Sequence, residues 1–203
     1  MVRFSSAECR YTLTDWKMDH PASPLRTNLY MVGATIVIHG TMMLLNELFF
    51  RNAEFLQGIG WIYVPAGTRL LCTLLFGWAG TLGLLMTGWV ATYWYYFPGD
   101  ATRATMGSIA GAVGPYLVYR FAQRRFGLQA SLANLTPQRL LLCAACCALA
   151  SPAMHHLWFA AHGERDLLPG FLVMFVGDLA GALIVLYAAK TVLALLDRRP
   201  RPA

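Results

Sequence analysis

The chain has 203 residues, of which 57% are hydrophobic and only 13% are charged. A soluble globular domain carries roughly 25% charged residues, so this chain has too few to cover a surface that faces water. The composition also excludes an intrinsically disordered chain, because there is ample apolar surface to bury. The net charge of +6 is typical of the basic cytoplasmic loops of membrane proteins, and we expect no nucleic acid partner. These properties predict an all-α polytopic membrane protein.

Six apolar segments are long enough to cross a bilayer, for which a helix needs about 17–25 residues. They lie at about Asn28–Phe50, Trp61–Gly77, Thr81–Phe97, Ala101–Tyr119, Arg139–Ala161 and Pro169–Leu196. The connection around residues 78–80 is short, so the second and third segments are predicted to form a helical hairpin. The predicted organisation is an N-terminal arm (1–27), a six-helix transmembrane domain (28–196) and a tail (197–203). The arm is polar and contains no apolar core typical of a cleavable signal peptide.

The basic residues predict the orientation of this bundle. Twelve of the sixteen fall on one predicted side, three on the other, and Arg69 lies within a span. The twelve are Arg3, Arg10, Lys17, Arg26, Arg120, Arg124, Arg125, Arg139, Lys190, Arg198, Arg199 and Arg201. Because cytoplasmic loops are enriched in lysine and arginine, both termini are predicted to be cytoplasmic.

Three charged residues, Glu47, Arg69 and Asp178, lie inside the predicted spans. A charge at the bilayer centre costs roughly 2.5–3.5 kcal/mol by insertion scales. At a rise of about 1.5 Å per residue, Arg69 and Asp178 lie at similar depths, roughly 12 and 13 Å below the outer ends of their helices. We therefore expect them to form an ion pair.

The polar residues within the spans cluster in the outer half of the predicted bundle and could line one outward-facing pocket. They are Asn46, Glu47, Arg69, His155, His156 and Asp178. Two interpretations remain open: a structural ion pair with snorkelling side chains, or a ligand-binding pocket. His39 and one of the fifth-segment histidines could instead ligate a single haem, although such histidines more often hydrogen-bond between helices. Cys143 and Cys146 have no second ligand pair nearby, so we predict no metal site and no cofactor.

Three short motifs add a family resemblance. Trp61-Ile-Tyr-Val-Pro-Ala-Gly67, Gly114-Pro-Tyr-Leu-Val-Tyr-Arg120 and Phe175-Val-Gly-Asp-Leu-Ala-Gly-Ala-Leu183 resemble segments of membrane-associated sensor domains of the first MASE class. By this resemblance, the motif residues are Pro65, Ala66, Gly67, Gly177, Asp178 and Gly181.

The resemblance implies a sensory or interaction module in the bacterial inner membrane rather than an enzyme. Members of that family usually continue into a cytoplasmic kinase or diguanylate cyclase domain, and no such domain follows the last predicted span. We therefore expect the protein to engage a small ligand or a membrane partner and to act through a partner protein. Two alternatives stay open: the substrate-binding subunit of a vitamin-type importer, and an accessory subunit of a larger membrane complex.

Overall fold

The structure is a computed structural model of the chain, and it describes residues 24–128, 132, 134–164 and 167–197. In these residues it contains five α-helices, α1 (Pro24–Phe50), α2 (Pro65–Ala91), α3 (Ala101–Phe126), α4 (Pro137–Ala161) and α5 (Leu167–Asp197). Two short strands, β1 (Glu54–Leu56) and β2 (Ile59–Gly60), form an antiparallel hairpin. A π-helical turn, Thr92–Tyr96, extends α2. The predicted arm up to residue 23 and the tail beyond residue 197, with their basic residues, lie outside the described residues.

Four helical segments in the described part of the chain are long and apolar enough to cross a membrane. They are Pro24–Ala53, Pro65–Tyr96, Pro137–Ala161 and Leu167–Val192. The bundle also exposes many large apolar side chains, among them Leu29, Leu48 and Tyr187, which a lipid environment would cover. The predicted all-α architecture, with helices able to span a membrane, is therefore confirmed.

The helix ends follow from local sequence. The Asp100 side chain accepts a hydrogen bond from the Arg103 amide and caps α3, and Thr136 does the same for the Arg139 amide of α4. Such caps satisfy amide groups that have no partner within the helix. At its other end α3 stops at Gly127, whose φ of +60° is the left-handed conformation that glycine commonly supplies after a helix.

Helix α2 is interrupted at Gly77, whose φ of +56° and ψ of −126° are not helical and are readily adopted only by glycine. In a straight α-helix, residues 72 and 80 would be about 12 Å apart along the axis. Here a Cβ atom added at Gly80 would lie 2.3 Å from the carbonyl oxygen of Cys72. The chain therefore folds back on itself at Gly77.

The two halves of α2 run in opposite directions along α1. Along the first half, later residues of α1 contact earlier residues of α2, whereas along the second half the residue numbers rise together. The contacts are His39–Thr68 and Asn46–Val64 for the first half, and Thr35–Gly83 and Gly40–Thr87 for the second. The start of α2 and the π-helical turn thus lie together beside the β1–β2 hairpin, at what we term the hairpin end of the bundle.

The buried apolar core fills the opposite end, near Gly77. Its residues come from four helices, and they include Leu70, Leu74, Val118, Cys143, Ala144 and Ala182. The polar residues discussed below lie mostly at the hairpin end. The fold therefore separates a packed apolar half from a polar half.

Residues 61–64 form a connection outside any helix, whereas the sequence predicted a span that starts at Trp61. The Trp61 amide donates to the carbonyl of Ala53 at 2.9 Å, and the Tyr63 amide donates to the carbonyl of Gly177 at 3.0 Å. The helix begins at Pro65 because proline has no amide hydrogen to leave unpaired and its φ suits the first helical position.

The structure corrects several other predicted bounds. Most of the second and third predicted segments falls in α2, on either side of Gly77, and residues 78–80 are helical rather than a connection. Helix α3 extends to Phe126, seven residues beyond the predicted end at Tyr119. The described residues therefore form five helices where six separate spans were predicted.

Candidate functional site

A cavity of about 300 Å³ lies inside the bundle at the hairpin end. All five helices contribute to its lining, and the β1–β2 hairpin forms part of its wall. Small-molecule sites in proteins have volumes of about 300–1,000 Å³, so this cavity lies at the lower end of that range. Its titratable lining residues are His39, Tyr63, Arg69, Tyr96, Arg103, His155, His156, Glu164 and Asp178.

Arg69 enters the cavity from the first half of α2. Its guanidinium donates a hydrogen bond from Nη2 to the Tyr63 hydroxyl at 3.0 Å and lies 4.8 Å from the centre of the Tyr63 ring. A Cβ atom at Gly111 would lie 3.3 Å from Arg69 Cζ, so the glycine leaves room for the guanidinium. A guanidinium has five N–H donors, and the others form no hydrogen bond with another described residue.

Asp178 reaches the same cavity from α5, and it is only 4% exposed. The predicted ion pair with Arg69 does not form. Among the described residues, the one ion pair with a nitrogen–oxygen distance within 4 Å joins Arg103 to Glu164. The Arg69 guanidinium instead contacts the ring and the hydroxyl of Tyr63. The two opposite charges interact electrostatically but face the cavity from different helices.

Tyr63, the hydrogen-bond partner of Arg69, is a protonated phenol. Burial raises the pKa of the Tyr63 phenol above its ordinary value, and the positive charge of Arg69 only partly offsets this effect. The phenol therefore keeps its proton at neutral pH. Because its oxygen accepts a hydrogen bond from Arg69, its O–H group is left to donate.

Two neighbouring histidines of α4 have their tautomer fixed by the helix backbone. His155 Nδ1 lies 2.9 Å from the carbonyl oxygen of Ser151, and His156 Nδ1 lies 2.9 Å from that of Pro152. A carbonyl oxygen can only accept, so Nδ1 carries the hydrogen in both rings. In the neutral imidazole, Nε2 is then the acceptor.

His39 of α1 reaches the same state by a different route. The Thr68 hydroxyl donates to the carbonyl of Pro65 at 2.8 Å, so it must accept from His39 Nδ1, also at 2.8 Å. The sequence marked His39 as a buried polar residue but did not include it in the predicted pocket. The structure places it in the cavity lining with His155 and His156.

Asn46 and Glu47, which were predicted to line the pocket, lie beside the cavity rather than in its lining. The Asn46 side-chain oxygen accepts a hydrogen bond from the Val64 amide at 2.9 Å. The Glu47 carboxylate accepts hydrogen bonds from the hydroxyls of Tyr95 and Tyr96, at 3.1 and 2.6 Å. Both residues therefore hold the wall in place: Asn46 anchors the start of α2, and Glu47 anchors the π-helical turn.

The rim of the cavity carries an ion pair that the sequence did not reveal. Arg103, near the start of α3, pairs with Glu164, which follows α4. The Arg103 guanidinium also lies 4.3 Å from the ring centre of Phe97. These partners are distant in sequence, so neither composition nor helical periodicity could have joined them.

The residues singled out by the family resemblance contact one another. A Cβ atom at Gly177 would lie 2.1 Å from the carbonyl oxygen of Gly60, and one at Gly181 would lie 1.9 Å from that of Tyr63. Gly67 packs against Gly181 in turn, with its Cβ position 3.1 Å from the Gly181 carbonyl oxygen. Pro65 and Ala66 are buried beside them. The two motifs thus form one close backbone contact, and Asp178 projects from it into the cavity.

Comparison of the chain with protein-family models, with curated proteins and with solved structures finds no significant match. The geometry of the cavity therefore carries the functional argument.

Proposed function

We propose that the protein is an integral membrane sensory module that binds a small ligand in this cavity and acts through a partner protein. The observation that carries the proposal is the pair of separated charges, Arg69 and Asp178, in one cavity. Charged groups at membrane depth are costly, and they commonly mark functional sites. A purely structural pair would lower this cost by direct contact, whereas these two charges remain open to the cavity.

We further propose that the chain crosses the bacterial inner membrane six times, with the hairpin end outside and both termini in the cytoplasm. The reversal at Gly77 supports two crossings by α2. Arg120, Arg124, Arg125 and Arg139 lie near the ends of α3 and α4 that face away from the hairpin end, as expected for a cytoplasmic surface.

A sensory role requires that the ligand bind two arrangements of the bundle with different affinity. The close glycine contact between residues 60–64 and α5 offers a link from the cavity to the cytoplasmic end, because α5 is one continuous helix of 31 residues. A partner that contacts the cytoplasmic end would sense its movement. On this proposal the protein is a sensor of the MASE type and has no catalytic activity of its own.

A second candidate is the substrate-binding subunit of an importer, and a polar cavity inside the bundle also favours this role. Such a subunit would need an energising membrane partner and would support uptake of the bound solute. An accessory subunit of a larger complex would have a partner but no dependence on the cavity.

The test is gentle purification from the native membrane into nanodiscs, followed by mass spectrometry of bound small molecules and proteins. Gly107→Leu should block the cavity, because Gly107 lines it. A Cβ at Gly107 has room to form, since the nearest atom, His155 Nε2, is 4.0 Å away, and the rest of the leucine side chain would occupy cavity space. Gly33→Leu is the matched control, since a Cβ at Gly33 meets nothing within 4 Å. We expect a bound small molecule that Gly107→Leu loses and Gly33→Leu retains, together with a protein partner.

Other results would change this assignment. A partner that co-purifies equally with both variants, without any bound molecule, would favour the accessory subunit. Uptake of the bound small molecule by the protein together with its partner would favour the importer. A visible absorption band typical of haem would revive the haem alternative involving His39.

A further inference from the structure

The cavity presents two opposite charges that do not neutralise each other by contact. Arg69 comes from α2 and Asp178 from α5, and the chain forms no ion pair between them. An anionic ligand would compensate Arg69 but leave Asp178 buried without a partner, and a cationic ligand would do the reverse. A buried charge without a partner is strongly unfavourable. The occupant that compensates both sides carries both charges.

The donors around Arg69 suit a carboxylate. A guanidinium offers a planar fork that binds a carboxylate through two parallel hydrogen bonds. Its engagement with Tyr63 uses Nη2 and leaves further N–H groups for a ligand. The Tyr63 hydroxyl, which accepts from Arg69, adds a donor beside it.

The acceptors elsewhere in the cavity suit an ammonium group. The Asp178 carboxylate forms no hydrogen bond with a described residue, and an ionised carboxylate is purely an acceptor. The three lining histidines, His39, His155 and His156, are held with hydrogen on Nδ1. Nε2 of His155 lies against the backbone of Gly107, so the acceptors offered to a ligand are Nε2 of His39 and His156. An ammonium has three N–H donors and no acceptor, which matches this set.

Much of the remaining lining is apolar or aromatic, although Gln57, Thr92 and Ser108 add polar groups and the Arg103–Glu164 ion pair lies at the edge. The apolar part includes Met106, Met174, Leu84 and Phe159, which would favour a hydrophobic side chain over a sugar or a polyphosphate. The volume of about 300 Å³ limits the occupant to a small molecule.

We infer that the cavity binds a small zwitterion with an apolar body, of the α-amino acid type, with its carboxylate on Arg69 and its ammonium on Asp178. This inference rests on the proposed function, because it names the ligand of the same cavity.

The test measures equilibrium binding and the shift in unfolding temperature for the full chain in nanodiscs. The probes are L-leucine, L-methionine and L-phenylalanine, each with two matched derivatives. The N-acetyl derivative keeps only the carboxylate charge, and the methyl ester keeps only the ammonium charge. We expect at least one amino acid to bind, and both of its derivatives to bind at least about tenfold more weakly, as loss of one charge-assisted hydrogen-bond set predicts.

Two charge variants make the test specific to the proposed contacts. In Asp178→Asn, the amino acid should lose its advantage over the N-acetyl derivative. In Arg69→Gln, it should lose its advantage over the methyl ester. The controls are Asp100→Asn, at the cap of α3, and Arg120→Gln, which is exposed near the other end of α3; both should keep the preference of the wild type.

The wild-type comparison keeps the inference testable if a charge variant fails to fold. Equal binding of an amino acid and its N-acetyl derivative would overturn it in favour of an anion site, and equal binding of the ester would indicate a cation site. A co-purified molecule with a single charge, or none, would refute this inference but leave the proposed function standing. If no probe binds and no molecule co-purifies, both fail.

Discussion

At the scale of single residues, Tyr63 stabilises the half-buried charge of Arg69. Its ring covers one face of the guanidinium and its hydroxyl accepts one hydrogen bond. An arginine over an aromatic ring gains about 0.5–2 kcal/mol, depending on how far it is desolvated. Because the phenol stays protonated, this support persists over the physiological pH range.

We predict that Tyr63→Phe lowers the free energy of unfolding by about 1–3 kcal/mol, the cost of leaving a buried polar group without its partner. Tyr63→Leu should cost more, since the ring contact is lost as well. The matched control is Tyr30→Phe, because the Tyr30 hydroxyl also accepts from an arginine, Arg26, but Tyr30 is 62% exposed. Chemical unfolding in detergent micelles measures all three variants. Equal effects of the two phenylalanine substitutions would show that the Tyr63 hydroxyl does not support Arg69.

The sequence could indicate which residues occupy the polar half but not how they meet. The depth of Arg69 and Asp178 follows from counting residues along a helix, so their presence at one level was predictable. Their separation depends on the direction in which each helix faces, which depth does not give. Successive residues on a helix point about 100° apart, so Asn46 and Glu47 could not both face the same partner.

At the scale of elements, the contact between α5 and residues 60–64 is closer than ordinary helix packing. The carbonyl oxygens of Gly60 and Tyr63 lie where side chains would begin on α5. Small residues at four-residue spacing commonly allow close backbone approach between membrane helices. Gly177 and Gly181 have this spacing, and the structure places the connection before α2, rather than another helix, against them.

We predict that Gly181→Ala strongly destabilises the protein, because the added Cβ would lie 1.9 Å from the Tyr63 carbonyl oxygen and 2.7 Å from the Val64 amide nitrogen. Overpacking typically costs about 1–3 kcal/mol, and a clash with backbone falls at or above the upper end. Gly33→Ala is the control: with no atom within 4 Å, it should be neutral or stabilise α1 by up to about 1 kcal/mol. Thermal unfolding in micelles compares them. Similar midpoints for both variants would contradict the close contact.

Local sequence patterns could predict neither the β1–β2 hairpin nor the position of the chain reversal at Gly77. The β1–β2 hairpin has strands of three and two residues, too short for a period-two pattern. Helix α2 reads as apolar on both sides of Gly77, so composition predicts helix there but cannot reveal which glycine carries the turn. Gly77, Gly80 and Gly83 are equivalent by composition, and only the positive φ distinguishes the first.

At the scale of the whole molecule, the reversal at Gly77 supports the proposed topology of six crossings. A straight helix of 32 residues, from Pro65 to Tyr96, would be about 48 Å long, well beyond a hydrocarbon core of about 30 Å. On the proposed topology, folding back at Gly77 replaces this length with two shorter crossings. It also returns the chain to the hairpin end, so the π-helical turn can join the cavity wall.

We predict that a membrane-impermeant maleimide, applied to a cysteine-free background, labels Trp78→Cys only from the cytoplasmic side and Trp94→Cys only from the outside. Both side chains are exposed, at 54% and 72%, and they follow Gly77 and precede the end of the π-helical turn. Ile184→Cys, exposed near the middle of α5, is the control and should be protected from both sides by lipid. If α2 crossed only once, Trp78 would lie near the middle of the bilayer and would resist labelling as Ile184→Cys does. Labelling of Trp78→Cys and Trp94→Cys from the same side would exclude the proposed topology, and with it the outward-facing cavity.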